Sequence, residues 1–267
     1  MTKIIEIEFV VINNKKIIMK LLNKKEIEQM RKNAKVHKIV FEEIRKIVKD
    51  WTSAIEINNL CWKIAKEHNV LCWFNWVFWF PDNICISVND VVVHWRARKW
   101  LYLKDWDLVT FDFGIKDKKY WINTDAAFSM IVWGKEKNPK WAKLIEANKK
   151  ALYAGIAQAK AGNKIWDISA AIQKEIEKAG FFVVKDLTGH AIWYKLHDKP
   201  YIPNYWKAGK WQILKEWMTL AIEPILWETS WKIVDEWDWE IFIEDWSLGS
   251  QYEHTILITD WEAEIIV

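Results

Sequence analysis

Val109-Thr-Phe-Asp-Phe-Gly114 alternates like a β-strand and carries a carboxylate in the middle of an apolar run. Successive strand residues point to opposite faces, so Phe111 and Phe113 share a core face and Asp112 lies on the other. A carboxylate beside a core is costly unless it is paired, hydrogen-bonded or bound to a metal. The stretch therefore predicts a central strand whose Asp112 meets a partner group elsewhere in the chain.

Four further polar residues interrupt apolar or turn-like runs. They are Asp125 in Asn-Thr-Asp-Ala-Ala-Phe, His190 in Thr-Gly-His-Ala-Ile, Glu223 in Leu-Ala-Ile-Glu-Pro-Ile-Leu and Glu253 in Ser-Gln-Tyr-Glu-His-Thr-Ile. Singly, each has an ordinary structural explanation: an edge aspartate, a hydrogen-bonded core histidine or a solvent-facing Glu-His pair. Together, four acids and one imidazole in a core would repel one another unless cations neutralised them. Such an oxygen-rich set suits a pair of divalent transition metals, which can activate water and polarise a carbonyl.

Composition and charge narrow the class of protein. The chain has 267 residues, 51% of them hydrophobic, which is enough for a sizeable core. A net charge of +3 argues against DNA or an anionic membrane as the main partner. Three cysteines without metal-type spacing indicate a reducing, cytoplasmic location. The segment 4–12 alternates like a strand and contains acids, which excludes a signal-peptide core and a membrane span.

The pattern of elements recurs in the two halves of the chain. Helices are predicted over 23–49, from Thr52-Ser53 onward, over 140–160 and over 165–178. Laying Lys49-Asp-Trp-Thr on Lys160-Ala-Gly-Asn at a constant offset gives the same helix, turn, helix, strand order, with Trp51 on Gly162. Strands are predicted over 84–94, 109–114, 120–132, 181–186, 218–226, 240–244 and 251–259. Since no linker separates the halves, we expect them to pack as one pseudo-symmetric domain.

Tryptophan is abundant and glycine scarce, with 22 Trp against 8 Gly. Several tryptophans follow an acid where turn chemistry calls for glycine: Asp50-Trp51, Asp105-Trp106, Glu216-Trp217, Asp245-Trp246 and Asp260-Trp261. About twenty bulky residues in glycine conformations, at roughly 1 kcal/mol each, would exceed a total stability of ~5–15 kcal/mol. We therefore hypothesise that most are glycines in the living cell, as in a genome that reads UGA as glycine. TGG codons at these positions would contradict the hypothesis.

The segments around the five polar residues resemble the type I methionine aminopeptidases, which are pita-bread metallopeptidases. The match runs from about Leu22 to the C-terminus, which implies one catalytic domain over 22–267 after an extension over 1–21. It is carried by residues 81–94, 111–114, 124–127, 189–200, 221–224 and 251–255. No long insertion separates His190 from Glu223, as in type I rather than type II enzymes. The resemblance implies an α+β fold in which two pseudo-symmetric α/β halves enclose the metals on a curved antiparallel sheet.

The resemblance also implies the roles of the site residues. Two divalent ions, Co, Mn, Fe or Zn, would be held by Asp112, Asp125, His190, Glu223 and the bridging Glu253. The lack of thiolate ligands favours Mn, Fe or Co over a structural zinc site. Glu223 would also exchange a proton with the attacking water. His94 and His197 would contact the substrate amide and the tetrahedral intermediate.

The implied activity is removal of the initiator methionine from nascent polypeptides with a small second residue. The enzyme would be a monomer with transient ribosome contact. The methionine pocket would be lined by soft, apolar groups that suit a thioether: Phe80, Cys85, Leu196 and Trp239, with Cys72 as a further candidate. Indoles at Trp95, beside His94, and Trp193, close to His190, would crowd the site.

Two other functions stay open. One is another pita-bread peptidase, such as a proline-specific one, although those enzymes usually carry a large N-terminal domain that residues 1–21 do not supply. The other is a catalytically silent pita-bread binding protein, which the presence of all five ligands and both histidines argues against. Metal content and cleavage of a Met-Gly-x peptide separate these functions.

Overall fold

The computed structural model describes residues 21–76, 80–133, 138–230, 232–235 and 240–267, to which this account is confined. The helices are α1 (Lys24–Ile47), α2 (Ala54–Glu67), α3 (Pro139–Ile156) and α4 (Ile165–Lys178). The strands are β1 (Val70–Cys72), β2 (Cys85–Val88), β3 (Val91–Val93), β4 (Leu108–Asp117), β5 (Asn123–Ile131), β6 (Phe182–Val183), β7 (Thr188–Ala191), β8 (Asp198–Pro203), β9 (Thr219–Ile222), β10 (Ile225–Trp227), β11 (Ile233–Asp235), β12 (Ile241–Ile243), β13 (Gly249–Gln251), β14 (Glu253–Leu257) and β15 (Glu264–Ile265). The predicted strand over 4–12 and the candidate pocket residue Trp239 lie outside the described residues.

The helices begin where the sequence predicts them. The Asn23 side chain accepts the backbone N–H of Glu26 at 3.1 Å, and the Glu26 carboxylate accepts the N–H of Asn23 at 2.7 Å. This reciprocal pair satisfies two backbone donors that a helix start leaves unbonded, so it fixes the start of α1. Helix α4 has the predicted bounds, whereas α3 ends at Ile156 rather than at the predicted residue 160.

A nine-stranded antiparallel sheet forms the centre of the molecule. Its strand order is β1-β4-β5-β14-β9-β7-β8, with β2 added to β4 and β15 added to β14. Strands β4 and β5 form the predicted hairpin, in which Gly114 pairs with Asp125. Strand β14 lies between β5 and β9, pairing Glu253 with Ala127 and Thr255 with Ala221. Strands far apart in sequence are thereby brought side by side.

The two faces of β4 have different neighbours, as the opening stretch predicts. On one face, the Phe113 ring lies 5.4 Å from the His37 ring of α1, and Phe111 lies 5.3 Å from Phe128. Asp112 projects to the opposite face, away from α1. All ten residues of β4 are buried, so this second face is also covered by protein.

Several predicted strands are shorter or divided. The strand predicted over 218–226 breaks into β9 and β10 at Glu223-Pro224, because proline cannot donate to the strand ladder. The strand predicted over 251–259 breaks at Tyr252, whereas the short strands predicted over 84–94 are present as β2 and β3. The strand over 181–186 is reduced to Phe182–Val183, and β7 and β8 were not predicted.

The internal repeat is present in the structure. Helices α2 and α4 are both 14 residues long and lie at the predicted constant offset. The isolated bridge between Ser53 and Tyr102 recurs at that offset between Lys164 and Ile213. The two halves of the chain therefore repeat one arrangement.

Among the described residues, no helix is both long enough and apolar enough to cross a bilayer.

Candidate metal centre

The structure brings the five predicted ligand residues together on the Asp112 face of the central sheet. Possible ligand atoms of Asp112, Asp125 and Glu253 all lie within 4.8 Å of one another, and the same holds for His190, Glu223 and Glu253. These two groups share Glu253, and a third group, Asp125, His190 and His197, links them. Neighbouring strands account for this convergence, since β4 and β5 supply the aspartates and β14 lies next to β5.

Burial makes this cluster electrostatically costly as a set of free carboxylates. It raises the pKa of Asp112 to about 7. It also raises the pKa of Asp125 well above its usual range, and the nearby charges of Glu253 and Asp112 add to the effect. The pKa values of Glu223 and Glu253 are raised in the same way, first by burial and then by neighbouring carboxylates. Cations bound among these groups would offset both the cost of burying the carboxylates and the repulsion between them.

The donor set fits a divalent metal. The buried Oδ1 of Asp112 and Oε1 of Glu253 have no hydrogen-bond partner among the described residues, although buried polar atoms are normally bonded. The Nε2 atom of His190 lies 3.5 Å from Oε1 of Glu223 and 3.9 Å from Oε1 of Glu253. Burial lowers the pKa of His190 to about 4, so its ring is neutral and able to ligate a metal. Oxygen ligands with one imidazole, and no thiolate, suit Mn, Fe or Co.

Two further histidines lie beside the metal ligands. The His197 ring is perpendicular to that of His190, with centroids 4.5 Å apart. Part of the His197 side chain is exposed, but the surrounding protein still lowers the pKa of its ring well below the usual range. Loss of solvent around the ring is the main cause, and the nearby His190 and His94 add to it. His94 follows β3, has a left-handed backbone with φ of 64°, and bonds the Cys85 thiol through its main chain. Non-glycine residues in this conformation are often held there at functional sites.

Apolar side chains predicted to line the methionine pocket lie close to the metal ligands. Cys85 of β2 is the direct cross-strand partner of Asp112 and is fully enclosed. Leu196 and Phe74 flank Gly114, two residues along β4 from Asp112, and the Phe80 ring lies 6.3 Å from that of Phe74. The predicted pocket residues Phe80, Cys85 and Leu196 are thus near the cluster, and Phe74 joins them without having been predicted.

Cys72 does not belong to this pocket, so its candidacy was wrong. It pairs with Ile115, which shares a strand face with Phe111 and Phe113, and its thiol contacts the Cys61 carbonyl of α2. The register of β1 therefore directs Cys72 toward the helices. Trp193 is buried in the core, and its carbonyl accepts the backbone N–H of Asn123 at 2.7 Å.

Two supporting residues were missed by sequence reasoning. The Gln251 side chain donates to Oε2 of Glu223 at 3.3 Å and also bonds Asp112. Thr255 accepts the backbone N–H of Asp125 at 2.9 Å and donates to its carbonyl at 2.7 Å. Each lies two residues from Glu253. In an extended chain such residues share a face with Glu253, and this alternation was the signal that could have identified them.

Comparisons with known proteins agree with this site. The model of metallopeptidase family M24 matches residues 28–260. A methionine aminopeptidase of Clostridium acetobutylicum is 32% identical over 245 residues, which is 91% of this chain and 96% of the relative. Methionine aminopeptidase A of Synechocystis sp. is 33% identical over 92% of this chain and 96% of the relative.

Solved structures give the same result for the fold. The crystal structure of a methionine aminopeptidase from Thermotoga maritima has a TM-score of 0.89 and 33% identity, covering 93% of this chain and 99% of that one. A prolidase from Pyrococcus horikoshii, at 18% identity and a TM-score of 0.68, shares the fold, and this chain covers 62% of it. The predicted α+β pita-bread fold is confirmed. With a family model matched over most of its length and relatives above 30% identity, the chain belongs to metallopeptidase family M24.

Proposed function

We propose that the protein removes the N-terminal methionine from polypeptides whose second residue is small, by metal-dependent hydrolysis. The observation that carries this proposal is the convergence of four carboxylates and one imidazole beside an apolar pocket. Relatives named methionine aminopeptidase at 32–33% identity support it.

Two divalent ions would be held by the cluster. Asp112, Asp125, His190, Glu223 and Glu253 would hold them. Glu253 belongs both to the group of the two aspartates and to the group of His190 and Glu223. When bound, such ions supply Lewis acidity and lower the pKa of a water. We propose that the ions are Co, Mn, Fe or Zn.

Glu223 is the group that moves a proton. Its side chain is 14% exposed, whereas that of Glu253 is 2% exposed, so it is the more accessible of the two carboxylates that face His190 and can take and return a proton. The hydrogen bond from Gln251 fixes its second oxygen. We assign Glu223 to accept a proton from the attacking water and to deliver it to the leaving amine.

His94 and His197 bind the scissile amide. His197 lies beside His190, His94 lies close to His197, and the lowered pKa of His197 keeps its ring neutral. A neutral imidazole can hydrogen-bond an amide or a developing oxyanion without adding charge near the ions. The methionine side chain occupies the pocket of Phe74, Phe80 and Leu196, closed by Cys85.

The wider setting completes the proposal. The catalytic domain comprises residues 22–267, with 1–21 as an extension. The protein works as a cytoplasmic monomer on nascent chain N-termini, with transient contact to the ribosome and without binding DNA or membrane. The near-neutral net charge of +3 is compatible with such transient encounters.

Chelator-treated protein, reloaded separately with each of the four metals, tests the activity. Methionine release from a Met-Gly-x peptide should return with metal, while an Xaa-Pro peptide is left intact. Glu253→Gln should lose bound metal, and should lose activity beyond the ~10–100-fold typical of residues that only orient ligands. Glu56→Gln, exposed on α2, is the matched control and should behave as the parent.

Two results would contradict the proposal. One is a protein that binds metal and leaves the Met-Gly-x peptide uncut. The other is preferential cleavage of the Xaa-Pro peptide, which would support a proline-specific peptidase instead.

A further inference from the structure

Left-handed backbone conformations in this protein fall on an unusual set of residues. Among the described residues, ten that are not glycine have positive φ, and seven of these are tryptophans. The seven are Trp51, Trp106, Trp121, Trp133, Trp211, Trp217 and Trp246, with φ between 59° and 78°. The remaining three are Asn69 and Asn89, which tolerate this region, and His94 of the candidate metal centre.

Tryptophan has no physical reason to occupy such positions. A left-handed backbone brings Cβ close to the following carbonyl oxygen, which glycine avoids and which asparagine offsets through local hydrogen bonds of its side chain. Burial of the indole offers little in return, since six of the seven side chains are exposed, from 46% at Trp211 to 66% at Trp51, although Trp211 stacks on Trp166. Glycine is the residue that these seven turns require.

The internal repeat supplies a direct comparison for Trp51. At the constant offset, Trp51 corresponds to Gly162, and the two have φ of 64° and 91°. The N–H of Trp51 donates to the carbonyl of Leu103 at 2.8 Å, and that of Gly162 donates to Leu214 at 3.0 Å, the equivalent residue. One copy of the same hydrogen-bonded turn thus carries glycine and the other carries tryptophan.

Two further pairs extend the comparison. Asn69 and Gly180, equivalent residues after α2 and α4, are both left-handed and bond back to equivalent carbonyls, Lys66 and Glu177. Here both copies carry a residue suited to the conformation. Trp106 and Trp217, also equivalent, have φ of 78° and 72°. These three left-handed positions therefore coincide in the two copies of the repeat. Tryptophan is paired with glycine at one of them and with tryptophan at another.

We infer that the seven left-handed tryptophans are glycines in the protein that the cell makes, and that their codon is UGA, decoded there as glycine. The inference is independent of the proposed function, because it rests on backbone geometry away from the metal ligands. The hypothesis that most tryptophans are glycines in the cell is thereby restricted to the seven positions whose φ is positive. Tryptophans in ordinary conformations, such as Trp62 within α2, are outside it.

The codons and the native protein test the inference directly. We expect TGA at all seven positions in the gene, and glycine-containing peptides spanning them when the protein from its own cells is digested and analysed by mass spectrometry. TGG codons, or peptides carrying tryptophan at these positions, would overturn it.

Stability measurements test the physical premise on expressed protein. The parent protein has glycine at all seven positions. Three variants of it carry tryptophan, alanine or asparagine at position 51. Tryptophan and alanine should each lower the melting temperature by about 2–4 °C, and asparagine by less. Alanine separates the cost of Cβ from that of the indole.

Trp62 provides a control of opposite sign. It is 52% exposed, comparable to Trp51, but lies within a helix, so Trp62→Gly in the same parent should lower the melting temperature. Two results would contradict the premise that tryptophan is strained in a left-handed backbone. One is equal stability of the proteins with tryptophan and with glycine at position 51, and the other is a rise in stability on Trp62→Gly.

Discussion

Asp112 owes its proposed chemistry to its surroundings. An exposed aspartate is fully ionised at neutral pH, whereas burial raises the pKa of Asp112 to about 7. The neighbouring acids are raised as well, so protons and metal ions compete for the same oxygens. The affinity of the cluster for metal is expected to rise with pH through the neutral range.

Replacing Asp112 by asparagine should change the pH dependence of stability in chelator-treated protein. In the folded protein Asp112 holds its proton up to about pH 7, but in the unfolded chain only up to about 3.8. The wild type therefore loses stability as pH rises across this window, while the neutral amide does not. Thermal unfolding at several pH values should show the melting temperature of Asp112→Asn rising relative to that of the wild type from pH 4 to 7.

Added metal should reverse that order. At pH 7.5 a divalent ion should stabilise the wild type more than Asp112→Asn, because the amide is the weaker ligand. A stability difference that stays constant from pH 4 to 7 would show that Asp112 does not titrate in this window.

Gln251 should act as a positioning residue for Glu223. Its hydrogen bond stabilises the ionised carboxylate, so Gln251→Leu should raise the pKa of Glu223 and move the acid limb of the rate profile to higher pH. We expect kcat/KM to fall about 10–100-fold. Gln158→Leu, in the turn after α3, is the control. An unshifted pH profile would mean that Gln251 has only a structural role.

At the scale of elements, strand β4 couples the ligands to the substrate pocket. Asp112 and Gly114 lie on one face, so one metal ligand and the glycine that contacts Phe74 and Leu196 share a single strand. This contact depends on the absence of a side chain at Gly114, since a Cβ there would lie 2.7 Å from the Phe74 ring. The position of the Phe74 ring against β4 therefore depends on this glycine.

Gly114→Ala should narrow the methionine pocket without removing metal. The added methyl forces Phe74 and Leu196 to shift, and overpacking of about 1–3 kcal/mol corresponds to a KM increase of ~5–150-fold. Steady-state kinetics and metal analysis on the same sample measure the two effects separately.

Gly155→Ala is the matched control for this change. A Cβ at Gly155 would lie 2.8 Å from Ile172, a similarly tight contact, but between helices α3 and α4. It should lower stability and leave KM unchanged. If both substitutions alter KM equally, the effect reflects general destabilisation rather than the pocket.

At the scale of the whole molecule, one sheet joins the two halves of the repeat. Strand β5 of the first half and β9 of the second both pair with β14. Neither half can separate without breaking these ladders, and the ligands from both halves meet at the same place. The pseudo-symmetric halves therefore form one cooperative unit.

Denaturant unfolding should accordingly show a single transition, with coincident curves from circular dichroism and fluorescence. Metal removal should shift the midpoint to lower denaturant without splitting it, because bound ions stabilise only the folded state. Two resolved transitions, in either form, would show that the halves unfold independently.

The amino-acid sequence determined the features that depend on neighbouring residues. Asn23 and Glu26 fix the start of α1 through contacts three residues apart, and the apolar period of 165–178 gives α4 its bounds. The five polar interruptions were visible because each stands within an apolar run. Their resemblance to a known family, with the fold it implies, was likewise available from local segments.

Only the tertiary structure decided how distant strands pair, and hence what surrounds each residue. The bond from Gln251 to Glu223, the place of Phe74 beside Gly114 and the turning of Cys72 toward α2 all depend on strand register. Register is set by contacts between segments far apart in sequence, which no local period encodes. The left-handed backbone at Trp51, equivalent to that at Gly162, also became measurable only in three dimensions, because φ belongs to the folded chain.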